Sequence, residues 1–346
     1  RVFAFRPEMN ASATLANRLL AAGAELARLQ EPLDENGTLW PAGTFVGRGV
    51  DAAVLRRAAH ETGVDISTLR RWPDEPRPIR QPRLAVVEPW GGSIDAGWTR
   101  WVLEQHGFRF MRVRPNELTG DIAARFDVVV VPDVPQQLLV SGLRGMAVPP
   151  DHRGGLGDEG IAALKSFLRS GGTIITLGNS TEFAIDLLDV PVAIAARGDD
   201  PDSAYVPGAL LAVDIVPGHP VTAGLPAQVA AMNRHNHAYA VGRGGEGVVH
   251  ALARYADGPL VRSGYASGER RLRGHLAAFE AEMGAGRVVA LGFRAQHRGQ
   301  TWATFKLLFN AILSAERARG GELSVRAGSD RIGSDPSRRS GRQWLD

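Results

Sequence analysis

Asp127-Val128-Val129-Val130-Val131-Pro132 is a continuous apolar run bounded by an acid and a proline. Such a run is typical of a strand that is covered on both faces, as in parallel sheets. Comparable runs at Leu84 to Val87, Thr173 to Leu177 and Gly286 to Phe293 are separated by amphipathic helical stretches. Because strands that alternate with helices form α/β layers, the pattern predicts a doubly wound, mostly parallel sheet over residues 83–317.

The remaining parts of the 346-residue chain have different compositions. Residues 1–72 alternate strand and helix patterns and include a hairpin turn at Asn36-Gly37, which predicts a small α/β domain. Residues 73–82 are rich in proline, which disfavours helices and central strands, so we expect a linker there. Residues 318–346 are rich in Gly, Ser and Arg and predict a disordered tail.

Charge and composition exclude several classes of protein. The net charge is +3, nearly all cations are arginines, and these are scattered among acids without aromatic residues between them. Nucleic-acid binding is therefore not expected. No apolar run approaches the roughly 18 residues that span a bilayer. The chain begins with Arg1 in a strand-like run, which indicates a piece of a longer polypeptide and leaves the compartment and the export of the parent open.

The turn after the strand Thr173 to Leu177 reads Gly178-Asn179-Ser180-Thr181-Glu182. This strand, turn and helix resemble the nucleophile turn of class I glutamine amidotransferases, which requires a cysteine, whereas this chain contains none. Serine is a weak nucleophile unless a base activates it. His297, oriented by Glu182 or Asp133, is the candidate base of a serine hydrolase; the alternative is that Ser180 caps a helix and His297 lies in a surface loop.

A second candidate site lies between residues 88 and 101, where a glycine-rich loop leads from a strand into a helix. Ligands of open α/β sheets bind outside the carboxyl ends of the strands, and helix N-termini favour anions. A cluster of donors at residues 294–301 precedes the last helix and is suited to a carboxylate. The predicted ligand-binding residues are Trp90, Gly91, Gly92, Asp95, Trp98, Arg294 and Gln300. The alternative is that Ser93 or Asp95 caps the helix while Trp98 and Trp101 pack in the core.

No metal site is expected in the chain. His235 and His237 would lie on one face of an extended segment, but no third ligand is near them in the sequence, and metal sites need three or four ligands. The segment from His219-Pro220 to Gly224-Leu225-Pro226 predicts a structural turn.

Several of these segments together resemble the C-terminal region of bacterial zinc carboxypeptidases of the carboxypeptidase A-like family. The resemblance rests on residues 89–101, on residues 126–133, and on Gly299-Gln300-Thr301 with residues 304–310. It implies a flavodoxin-like or amidotransferase-like fold and a peptidase domain upstream that binds zinc through an HxxE pair. No histidine of this chain is followed by glutamate at the third position after it. Zinc is therefore expected only in the upstream domain.

Three functions remain open. The first is a non-catalytic accessory module whose partner is the upstream peptidase domain, with homo-oligomerisation as an option. The second is a module that binds a small molecule or a peptide carboxylate. The third is a serine hydrolase that uses Ser180 and His297.

Overall fold

The computed structural model describes residues 1–35, 37–143, 147–196, 204–234 and 237–316. The predicted tail, residues 318–346, lies outside them, as do Asn36 and His235. Within the described ranges, no helix combines the length and the apolar character needed to cross a bilayer.

The first unit is a 5-stranded antiparallel sheet in the order β6-β1-β5-β2-β7, with a separate hairpin of β3 and β4. Its elements are β1 (Val2–Phe5), α1 (Asn10–Ala21), β2 (Glu25–Arg28), β3 (Leu33–Glu35), β4 (Thr38–Trp40), β5 (Phe45–Arg48), α2 (Ala52–Thr62), β6 (Ser67–Leu69) and β7 (Arg77–Ile79).

Strand β7 lies inside the segment that was expected to be a linker. It pairs with β2 at the edge of the small sheet, where Pro78 is opposite Ala27. An edge strand tolerates proline because its outer N–H positions need no partner strand. The proline-rich segment therefore contributes to the first unit; the division into domains stays a prediction.

The second unit is a 12-stranded mixed sheet. Its first half consists of β8 (Leu84–Val87), α3 (Ile94–Gln105), β9 (Met111–Val113), α4 (Ile122–Arg125), β10 (Val128–Val131), α5 (Gln136–Ser141), α6 (Gly157–Arg169), β11 (Thr173–Leu177) and α7 (Ser180–Leu187). Its second half consists of β12 (Val192–Ala196), β13 (Tyr205–Ile215), β14 (Gln228–Asn233), β15 (Ala238–Val241), β16 (Val249–Tyr255), β17 (Val261–Ser267), β18 (Leu276–Met283), β19 (Gly286–Leu291) and α8 (Trp302–Leu313).

Strands β9, β8, β10, β11 and β19 are neighbours in that order and run parallel. The strands from β12 to β18 extend the sheet as antiparallel pairs beyond β19. The predicted α/β class is thus confirmed. Strand β9 begins at Met111, and the connection between β10 and α6 contains α5.

The valine run of β10 is buried on both faces of the sheet. Val128 and Val130 belong to one apolar cluster, with α3, α8 and the first unit, whereas Val129 and Val131 belong to another, with α4, α6 and α7. Successive strand residues point to opposite faces, so every valine is buried. The first cluster also contains Phe5 and Leu15 of the small unit, so both units share one continuous core.

Candidate functional site

The parallel strands end in a crevice where the direction of winding reverses. The chain passes from β8 to β9 on one side and then crosses to β10 on the other. Ligands of such sheets bind at this switch point, outside the carboxyl ends of the strands. The loops after β8, β10, β11 and β19 meet there, and they carry most of the residues predicted from the sequence.

Arg294, just after β19, joins two of these loops. Its Nε lies 2.7 Å from Oδ2 of Asp133, and its Nη2 lies 3.3 Å from Oδ2 of Asp95. All three side chains are largely buried, with exposed fractions of 13% for Arg294, 11% for Asp95 and 2% for Asp133. Asp133 also accepts a hydrogen bond from the backbone N–H of Asn179, over 3.2 Å. Arg294 is thus an internal cross-link, and its charge is already matched by carboxylates of the chain.

Ser180 is the first residue of α7 and is fully buried. Its hydroxyl donates to the carbonyl oxygen of Pro132 over 2.5 Å and accepts from the backbone N–H of Val134 over 3.2 Å. These bonds join the turn after β11 to the chain that leaves β10. The hydroxyl is thus buried and engaged with backbone groups on both sides.

The expected Ser180, His297 and Glu182 triad is not assembled. The carboxylate of Glu182 contacts Nδ1 of His237, a residue that precedes β15. Nδ1 of His297 is buried without a hydrogen-bond partner in the described part of the chain. Burial, followed by the charges of Arg294, Arg298 and Arg234, lowers the pKa of His297. The lowered pKa favours the neutral imidazole, and within the described ranges no hydrogen bond joins His297 to Ser180.

Trp90 does not present an open stacking surface. Its ring stacks on the imidazole of His152, with centroids 4.0 Å apart, and the guanidinium of Arg114 lies 4.0 Å from a ring centroid of Trp90. Arg114 also donates to the carbonyl oxygens of Glu88 and Pro89. The ring is thus occupied by side chains that hold the β8 loop in place.

The rest of that loop is explained by helix capping and turn geometry. Ser93 caps α3, because its hydroxyl accepts from the N–H of Ala96 over 3.1 Å. Gly91 and Gly92 have φ values of +86° and +82°, a region that side chains rarely adopt. Trp98 packs edge-on against Trp101, with ring centroids 5.5 Å apart. The capping alternative is thus correct for Ser93. The two tryptophans contact each other, but Trp98 is half-buried and Trp101 is exposed, so neither packs in the core.

The residue that joins the last loop to α3 is Gln296 and not the predicted Gln300. Gln300 is exposed, whereas Gln296 is fully buried. Nε2 of Gln296 donates to the carbonyl oxygen of Asp95 over 3.2 Å and to the hydroxyl of Thr99 over 3.1 Å. Both glutamines lie in the polar cluster at residues 294–301. Sequence reasoning could find that cluster, but choosing between the two needs the direction of each side chain.

Two further histidines, His219 and His237, contact other groups of the chain. His219 caps the turn Pro220–Thr222 by accepting from the N–H of Val221 over 3.2 Å, as the sequence predicted. Among the described residues, no group of three His, Asp or Glu side chains is placed so that it could hold a metal. His237 is paired with Glu182. His235, the other histidine considered as a metal ligand, lies outside the described residues.

No family model matches this sequence, and no curated protein matches it. Among solved structures, a putative GMP synthase subunit from Thermoplasma acidophilum is 12% identical, with a TM-score of 0.42, over 67% of this chain and 92% of that one. PurLQS from Thermotoga maritima is 16% identical, with a TM-score of 0.45, over 67% of this chain and 98% of that one.

A β-galactosidase from Bacillus circulans sp. alkalophilus is 12% identical, with a TM-score of 0.42, and the likeness covers 67% of this chain but only 30% of that enzyme. With identities of 16% or less and TM-scores below 0.5, neither the type of fold nor the role of any residue follows from these likenesses.

Proposed function

We propose that this chain is a non-catalytic, amidotransferase-like module that serves a zinc carboxypeptidase-like domain upstream in the same polypeptide. The non-catalytic part of the proposal rests on the burial and the hydrogen bonds of Ser180. The turn that presents a cysteine in class I glutamine amidotransferases here carries a fully buried serine, whose hydroxyl bonds to Pro132 and Val134. With no cysteine in the chain, the turn offers no nucleophile to a substrate.

The crevice next to this turn is closed by the chain itself. Arg294 forms ion pairs with Asp95 and Asp133. A peptide carboxylate could reach Arg294 only by displacing these partners, which would take the Arg294 charge away from two largely buried carboxylates. The geometry therefore supports a rigid module more than a peptide-carboxylate clamp. Zinc has its place in the upstream domain in this proposal, because the chain has no HxxE pair.

The non-catalytic part is tested with the purified chain. The protein is incubated with glutamine, with C-terminal peptide substrates and zinc, and with a fluorophosphonate that labels activated serines. We expect no ammonia, no released amino acid and no label by intact mass. Label that disappears in Ser180→Ala would overturn the proposal in favour of a serine hydrolase. Zinc-dependent peptide cleavage by this chain would overturn it in favour of a peptidase within these residues.

The accessory part needs the longer polypeptide that contains these residues. We expect zinc-dependent removal of C-terminal amino acids by that polypeptide, abolished by a chelator and restored by zinc. Deletion of the module should change the KM or the melting temperature while some activity remains. A longer polypeptide without peptidase activity would remove the carboxypeptidase assignment and leave the non-catalytic module untouched.

A further inference from the structure

A cavity of about 330 Å³ lies between the small sheet and the large unit, away from the crevice at Ser180. Strands β2 and β7 form one side, and the turn before Pro220–Thr222 and the end of α8 form the other. The lining residues used below are Arg28, Gly43, Arg77, His219, Pro220 and Ser314. This volume is at the lower end of the range of small-molecule sites, about 300–1,000 Å³.

Arg28 is the most unusual residue of this wall. It is only 5% exposed. Its Nη2 donates to Oδ1 of Asn310 over 2.8 Å, and its Nη1 lies 3.5 Å from the carbonyl oxygen of Pro220. Its guanidinium carbon lies 4.3 Å from the ring centroid of Phe45, which fixes the plane of the group. Nε has no acceptor in the described part of the chain.

The charge of Arg28 is not compensated. Both of its hydrogen-bond acceptors are neutral, and within the described ranges no carboxylate forms an ion pair with it. Buried arginines are normally paired, because an uncompensated charge in the interior is costly. Two largely buried arginines of the large unit follow this rule, since Arg287 is paired with Glu280 and Arg294 with Asp95 and Asp133.

Further positive charge surrounds Arg28. Burial and then the charge of Arg77 lower the pKa of Arg28 to about 9. Burial and then the charge of Arg28 lower the pKa of Lys306 to about 8. The charge of Arg77, which also lines the cavity, thus disfavours the charged form of Arg28, and a negative group bound beside both would relieve this repulsion.

The acids close to the cavity are committed or exposed. Glu316 forms an ion pair with Arg77 at 3.0 Å, and its side chain is 79% exposed. Glu280 is paired with Arg287 at 2.9 Å and lies 3.6 Å from His219. Glu31 lines the cavity but is exposed. Among the described residues, no acid therefore fills the position of a counter-ion to Arg28.

We propose that this cavity binds an oxyanion, the phosphate or carboxylate group of a small molecule, through Arg28 and Arg77. The guanidinium group is suited to this task because its fork matches the geometry of both head groups. Gly43 brings the backbone of the small unit to the cavity wall, and the bound anion would lie between the two units. The proposal does not rest on the function proposed above, because it uses neither the crevice at Ser180 nor an upstream domain.

The test is a calorimetric titration of the full chain with inorganic phosphate, succinate and chloride at one ionic strength. We expect saturable binding of phosphate, succinate or both at one site per chain, and none with chloride. Arg77→Gln should weaken binding about tenfold or more, the loss expected for a hydrogen bond to a charged group. Arg28→Gln should abolish it. Arg18→Gln, which removes an exposed arginine paired with Glu61, is the control and should bind as the parent does.

Two results of the titration would overturn the proposal. If neither phosphate nor succinate binds, the cavity is not an oxyanion site. An equal response to chloride would show general screening of positive charge. Because Arg28 also holds Asn310, the fold of Arg28→Gln is checked first. If that variant does not fold, Arg77→Gln, confirmed as folded by circular dichroism, decides alone, and binding unchanged in it would overturn the proposal. Binding of only one of the two anions identifies the head group.

Discussion

The hydroxyl of Ser180 donates a hydrogen bond to the carbonyl oxygen of Pro132 over 2.5 Å, and both groups are buried. This bond joins the turn after β11 to the end of β10, two neighbouring parallel strands. A catalytic hydroxyl in this position would have to point away from the sheet towards a substrate. Here it points to the backbone, so this polar group contributes to the stability of the turn.

Ser180→Ala is therefore expected to destabilise the protein without affecting any activity. The change removes the donor to Pro132 and the acceptor for the N–H of Val134, and unsatisfied buried groups cost about 1–3 kcal/mol. Urea unfolding followed by circular dichroism measures the loss. Ser263→Ala, at an exposed position of β17, is the control and should stay within about 0.5 kcal/mol of the parent. Equal stability of both variants would show that the hydroxyl bond contributes nothing.

Arg294→Met should be one of the most destabilising single changes in the crevice. It removes the charge that pairs with the largely buried Asp95 and Asp133, and breaking a buried pair from one side costs about 3–5 kcal/mol. Adding Asp133→Asn should recover part of the loss, because it removes one of the two buried negative charges. Arg298→Met, at the neighbouring exposed arginine, is the control. If the double variant loses as much stability as Arg294→Met and Asp133→Asn lose together, the two charges are not coupled.

Lys306 predicts a pH dependence of stability. Its ammonium donates to the carbonyl oxygen of Pro7 over 2.5 Å, and burial followed by the charge of Arg28 lowers its pKa to about 8. The pKa in the unfolded chain is about 10.4. Below about pH 8 Lys306 is protonated in both the folded and the unfolded chain, and the folded chain bears the cost of the buried charge. Between the two pKa values Lys306 is protonated mainly in the unfolded chain, so the free energy of unfolding rises with pH.

The free energy of unfolding by urea is measured for the parent protein and for Lys306→Met. The pH values run from neutral to the pKa of lysine in the unfolded chain. Groups common to both proteins cancel in the difference. We expect the free energy of unfolding of the parent to increase relative to that of the variant as the pH rises through about 8. A difference that is flat over this range would mean that the pKa of Lys306 is not lowered in the folded state.

Gly43→Ala tests the packing between the two units. A Cβ atom at Gly43 would lie 2.5 Å from Cβ of Ala223, and the φ of Gly43 is +85°. Gly23 is a matched control, because its φ is +84° and a Cβ atom there would meet nothing within 4 Å. Both alanine variants are strained by the positive φ, but only Gly43→Ala also overpacks the contact, which costs about 1–3 kcal/mol. Equal melting temperatures for the two variants would show that the units adjust freely.

Much of the fold could be read from local patterns. The apolar runs at 84–87, 128–131 and 173–177 predicted buried parallel strands, because only a strand covered on both faces needs apolar residues at every position. The Asn36-Gly37 turn predicted the hairpin of β3 and β4. The proline-rich segment was harder to interpret. Pro78 is acceptable in β7 only because that strand is at an edge, and composition does not show the order of strands.

The sequence alone determined that the chain is an α/β protein and that the turn at Ser180 lacks a thiol, because periodicity and residue type are local properties. The tertiary structure alone decided which polar groups meet. Arg294 and Asp133 are 161 positions apart, Gln296 and Asp95 are 201 apart, and Arg28 and Asn310 are 282 apart. Whether an arginine is a ligand clamp, a cross-link or an uncompensated charge depends on such distant partners and on burial. Only the packing of the folded chain sets these.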